Sequence, residues 1–131
     1  MADQEALKPL DFIGSSREDL REFPDEVKQD IGYALFEAQK GQKSEAAKPL
    51  KGFGGGGVLE IIERFDGDTY RAVYTVKFAE AVYVLHAFQK KSKKGIATPN
   101  SDIDLVRRRL AMAERDYRGR HGAADDKAKG R

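Results

Sequence analysis

Three runs rich in β-branched and aromatic residues follow one another between residues 58 and 88: VLEIIERF, TYRAVYTV and AVYVLHAF. Short spacers divide them, Asp66-Gly67-Asp68 after the first and Lys77 to Glu80 after the second. Such residues fit a pleated, half-buried surface, and their spacing predicts a three-stranded antiparallel meander. In the middle run, strand alternation sends Tyr70, Ala72, Tyr74 and Val76 to one face and Arg71, Val73 and Thr75 to the other. Arg71 therefore stands in the middle of a sheet face. A guanidinium there is paired with a carboxylate such as Glu60 or Glu63, packed by its alkyl stem, or aimed at a ligand, because burying it unpaired is costly. Alternation in the last run sets His86 beside Val82, Val84 and Phe88, as a hydrogen-bonded core residue or as a proton carrier near neutrality.

Helices flank this block. KPLDFI, residues 8–13, reads as a short strand that Pro9 confines to an edge or a start, and it ends at Gly14. Ser15 and Glu18 have capping-box spacing and open a short helix. Pro24 suits the first turn of a second helix, along which Val27, Ile31, Leu35 and Ala38 form one apolar stripe before Lys40 and Gly41 close it. GQKSEAAKPLKGFGGGG, residues 41–57, reads as a flexible connector. Its glycines lead into a strand, whereas a P-loop or a dinucleotide fingerprint needs glycines that open a helix. After Pro99, the positions Ile103, Val106, Leu110, Ala113 and Tyr117 mark an amphipathic helix with Arg107, Arg108 and Arg109 outside or at its margin. No apolar periodicity continues from Gly119, and residues 119–131 read as a disordered tail. The predicted order is strand, helix, helix, three strands, helix: an α+β fold in a single domain over residues 1–118.

A chain of 131 residues, 40% of them hydrophobic, can bury one modest core. It has no cysteine, which excludes disulfides and thiolate metal sites and fits a reducing cytosol. No secretory start and no apolar run of membrane-spanning length are visible, so the sequence predicts a cytoplasmic protein with no membrane contact. No His, Cys and carboxylate grouping has metal-ligand spacing, and neither a metal nor a cofactor is expected. Charge is uneven. Residues 1–40 carry five Lys or Arg against ten Asp or Glu, and residues 41–131 carry nineteen against twelve. A basic C-terminal part attracts phosphate, so a nucleic-acid partner is one reading and a solvated surface the other.

The cluster HAFQKKSKKG, residues 86–95, sits at the exit of the third run. With it, the segments KPLDFIGSSREDLREFP, PLKGFGGGGVLEIIERFDGDTYRAVYTV and VYVLHAFQKKSKKGIATPNSDIDLVRRRL resemble the RelE/HigB superfamily of bacterial type II toxins, in its phage-related branch. The Tyr-Arg-x-x-Tyr strand and the Leu-His-x-Phe-x-Lys-Lys element carry the likeness together, over about residues 8–117. The resemblance implies a RelE-like microbial RNase fold and a metal-independent mRNA endonuclease acting on ribosome-bound message. It also implies a cognate helix-turn-helix antitoxin as partner, with the toxin acting alone or as a homodimer. ParE-like relatives share the architecture but bind and inhibit DNA gyrase without catalysis. That reading, or an inactive relative, is the alternative.

The chemistry implied is attack of the RNA 2′-hydroxyl on the adjacent phosphorus. It needs a proton acceptor, cations around the phosphorane and a proton donor for the departing 5′-oxygen. Arg71 matches the family's strand arginine and Lys90 and Lys91 its second cationic position, so Arg71, Lys91 and His86 are the expected catalytic residues. Arg64, Lys90, Lys93 and Lys94 are the expected phosphate contacts, with plain surface as the alternative for Arg64, Lys93 and Lys94. Some relatives place lysines along the first meander strand and acid-base groups near the C-terminus. Here that strand reads Leu59-Glu60-Ile61-Ile62-Glu63 and no such C-terminal group is found, which leaves Glu60 or His86 as the base without deciding between them.

Overall fold

The computed structural model describes residues 7–90 and 98–129, with side chains through His121. Eight elements follow in order: β1 (Leu10–Phe12), α1 (Ser16–Arg21), α2 (Asp25–Gln39), β2 (Ala47–Pro49), β3 (Val58–Phe65), β4 (Asp68–Thr75), β5 (Val82–Lys90) and α3 (Asn100–Lys129). The expected α+β architecture is present. The sheet order is β1-β5-β4-β3-β2, with β1 parallel to β5 and the other neighbours antiparallel. The meander accounts for its centre, and the two three-residue strands close its edges. Pro9 lies just before β1 and Pro49 ends β2, so neither removes a central ladder bond.

Each face of the sheet carries its own core. Tyr70, Ala72 and Tyr74 of β4 pack with Val27, Ile31 and Leu35 of α2, as the alternation and the helical stripe predict. On the opposite face Val73 meets Val106, Ala113 and Tyr117 of α3. The Tyr117 ring stacks on Phe78 at 4.8 Å between centroids, and its hydroxyl accepts the Glu80 backbone N–H at 3.2 Å. Tyr117 is thus a core residue.

Three features depart from the sequence reading. The first is β2, inside the stretch read as a connector. It pairs Lys48 with Glu60, and three residues are too few for periodicity to reveal. The second is α3, which continues through the segment read as a disordered tail. Arg120 reaches Asp11 of β1 at 3.4 Å and Asp116 at 3.2 Å, and the His121 ring lies 4.7 Å from Tyr117, so side-chain contacts carry the helix past Gly119 where apolar periodicity stops. The third is a β-bulge in β5. Val73 opposes His86 while Tyr74 opposes Val84, which leaves Leu85 as the extra residue. His86 is therefore shifted off the Val82 and Val84 face to the α3 face, together with Phe88. Arg109 donates from Nη1 to the Leu85 carbonyl at 3.0 Å, tying α3 to the bulge. Its guanidinium lies against Gly14, where φ is +59° and a Cβ would fall 2.8 Å from Cζ, so a larger residue there would strain the backbone and push Arg109 aside.

On the α2 side one contact is unfavourable at neutral pH. The Glu63 carboxyl is held above its ordinary value by desolvation first, then by the Asp30 carboxylate and a hydrogen bond with it. A raised carboxyl contributes stability below its unfolded value of 4.5 and loses it as pH rises through the folded value. Glu63→Gln is expected to stabilise the fold at pH 7 by on the order of a few tenths of a kcal/mol after solvent screening. Urea unfolding at pH 7 and pH 4 checks this, the gain vanishing at the lower pH.

Candidate functional site

Directly paired residues share a sheet face, so register places the candidates. On the α3 side Lys48, Glu60, Val73 and His86 form one row across four strands, Ile62, Arg71 and Phe88 the next, and Arg64, Thr69 and Lys90 the last. Arg64, Arg71, His86 and Lys90 thus lie on one face. Arg64 is exposed and Lys90 half-buried, and neither forms an ion pair with a described residue. Lys91, Lys93 and Lys94 lie outside the described residues.

Arg71 is fully buried. Glu60 is its diagonal neighbour on β3, and Arg71 Nη1 meets Glu60 Oε2 at 3.2 Å. The same Nη1 donates to Thr98 Oγ1 at 2.9 Å, and the Thr98 hydroxyl donates to Glu60 Oε2 at 2.8 Å. Pairing with Glu60, one of the alternatives left open by the sequence, is the arrangement present. The three groups close a triangle that fixes the carboxylate. Both bonds end on Oε2, and Oε1 receives none among the described residues.

His86 is 6% exposed, and its Nε2 lies 2.7 Å from Asp102 Oδ1 at the start of α3. Its ring stacks on Phe88 at 4.5 Å between centroids. Asp102 and Phe88 hold the imidazole against the sheet, consistent with the hydrogen-bonded buried reading of that residue. Nδ1 has no hydrogen-bond partner among the described residues.

Glu60 forms part of the floor of a cleft of about 590 Å³ between β2 and its following turn on one side and the start of α3 on the other. Ile62 and Ile103 give it apolar walls, Thr98 and Asn100 line its α3 side, and Lys48, Lys51 and Arg107 bring three cations to it. That volume suits a nucleotide-sized occupant. A cleft with cations around one anchored carboxylate can bind phosphate and accept a proton at the same place. Among the described residues no three His, Cys, Asp or Glu side chains group as a metal site.

Residues 18–111 match the family model described as Phage derived protein Gp49-like (DUF891). The chain belongs to this Gp49-like family. No curated protein matches the sequence significantly. Among solved structures it is similar to the isolated E. coli RelE toxin, at 24% identity and a TM-score of 0.52, over 66% of this chain and 88% of that one. A double mutant of E. coli RelE in the free state gives 24% identity and a TM-score of 0.48, over 63% and 82%. The RelBE2 toxin-antitoxin complex of Mycobacterium tuberculosis gives 20% and 0.44, over 69% and 99%. The likeness to the isolated toxin shows a RelE-like fold, as the resemblance read from the sequence implies.

The matched span of this Gp49-like chain contains every residue of the cleft, from Lys48 to Arg107. Sequence reasoning named Glu60 but missed Lys48, Lys51, Thr98 and Asn100 as its neighbours, and took Arg107 for helix surface. The usable signal was the paired lysines of AKPLK ahead of the glycines, which become legible as a site only once β2 is known to pair with β3. Among the described residues no helix is long and apolar enough to cross a membrane.

Proposed function

We propose that the chain is the toxin of a toxin-antitoxin system, a cytoplasmic endonuclease that cuts ribosome-bound mRNA in the cleft above Glu60. The observation that carries this reading is the anchored carboxylate beneath Lys48, Lys51 and Arg107. Glu60 Oε1 takes the proton of the 2′-hydroxyl, the 2′-oxygen bonds to phosphorus, and the bond from phosphorus to the 5′-oxygen breaks. The departing oxygen takes a proton from solvent water, while Lys91, a cation expected from the sequence to act in catalysis, helps to neutralise the phosphate. Cyclic phosphate and a 5′-hydroxyl result. Lys48 and Lys51, with Arg64 and Lys90 farther along the face, neutralise phosphate charge. Arg71 acts through Glu60, which it orients, while His86 keeps the start of α3 on the sheet. A cognate antitoxin is the partner this role requires, and the family membership and RelE-like fold support it.

Induction of the chain, with transcripts mapped for new ends, tests the reading. Growth arrest and cut messages are expected, and Lys48→Glu combined with Lys51→Glu should lower cleavage by at least about a hundredfold, since each reversed charge repels the phosphate it once bound. Both lysines are exposed, so the fold should survive. Intact messages together with blocked DNA replication would overturn the nuclease reading in favour of gyrase inhibition.

A further inference from the structure

Arg107 stands at the cleft in an arrangement that phosphate binding alone does not require. Its guanidinium lies over the Phe53 ring, 4.8 Å from the centroid, and Nη1 donates to the Gly52 carbonyl at 3.1 Å. Phe53 in turn is half-buried and packs against the core beneath α3. An exposed arginine ordinarily samples many rotamers, and here the ring contact and the carbonyl bond together hold the head group in one place. Arg107 lines the cleft, and its guanidinium lies over Phe53. A planar cation held over an anchored ring, with its residue still exposed, offers a stacking surface for a nucleobase.

We propose that Arg107 and Phe53 form a base-stacking subsite beside the scissile phosphate, which accepts one unpaired base and so sets which strand position sits over Glu60. The proposal rests on the cleft being the RNA site. Charge and plane are separable here: Arg107→Lys keeps the cation and removes the planar face. Phe53→Leu keeps apolar packing and removes the ring that holds the guanidinium.

The probe is a short single-stranded RNA, 2′-O-methylated to prevent cleavage, with 2-aminopurine placed at each position in turn. Binding is read by anisotropy and stacking by fluorescence quenching. The full chain is expected to quench 2-aminopurine at one position; Arg107→Lys should abolish that quenching and weaken binding about tenfold, in the range of one lost stacking contact. Phe53→Leu should reduce the quenching while melting close to the parent. If the RNA binds but quenching and affinity are the same in Arg107→Lys, the stacking subsite is wrong and the cleft reading stands. If the RNA binds the parent chain neither free nor when programmed on ribosomes, the cleft reading itself is wrong and takes the subsite with it.

Discussion

Arg71→Ala is expected to lower the stability of the fold by about 3–5 kcal/mol, the range for breaking a buried ion pair from one side. The guanidinium is fully buried and meets Glu60 and Thr98. Its removal leaves a carboxylate that is only 10% exposed without its countercharge. A domain of this size holds roughly 5–15 kcal/mol in total, so such a loss brings it near unfolding at moderate temperature. Urea denaturation measures it directly. The companion is Arg71→Met with Glu60→Leu, which removes both charges. Replacing a whole buried pair by apolar groups is often near neutral, so the double variant should recover most of the loss. A cost below about 1 kcal/mol for Arg71→Ala would mean that the pair does not hold the centre of the sheet, and growth assays on that variant alone would then report catalysis rather than folding.

The same residue shows what the sequence can and cannot reveal. Period-two alternation over a long run placed Arg71 on its face and separated it from Tyr70, Ala72 and Tyr74, because β4 is extended without interruption. The helical stripe of α2 and the apolar positions of α3 were equally plain, since each spans several turns. Alternation fails at His86, where one extra residue in β5 reverses the side-chain sequence. A bulge leaves no mark in composition, and only the pairing of Val73 with His86 exposes it. Whether Arg71 met a carboxylate or a ligand was a question of diagonal neighbours, which depend on register between β3 and β4. The cleft was illegible for a related reason. It is assembled from Lys48, Glu60 and Arg107, residues from three elements far apart in sequence, one of them a three-residue strand.

Glu60→Gln is the sharper test of chemistry. It is expected to reduce cleavage by about 10²–10⁴, the usual contribution of a positioned proton acceptor. The amide keeps a side-chain oxygen able to accept from Arg71 and Thr98, so the triangle retains its geometry while losing its ability to take a proton. The variant should be less stable than the parent, because Arg71 loses its countercharge, yet milder than Arg71→Ala, because no cavity opens. RNA affinity should hold or rise, since one negative charge leaves a cleft flanked by Lys48, Lys51 and Arg107. That combination separates a lost base from a lost fold: circular dichroism and RNA binding persist while cleavage disappears. If Glu60→Gln cleaves within about threefold of the parent, the proton goes elsewhere, for that loss is far below what removing a working base produces. His86, at the far end of the same row, would then be the group to replace, with Asp102→Asn as the control for its hydrogen bond to α3.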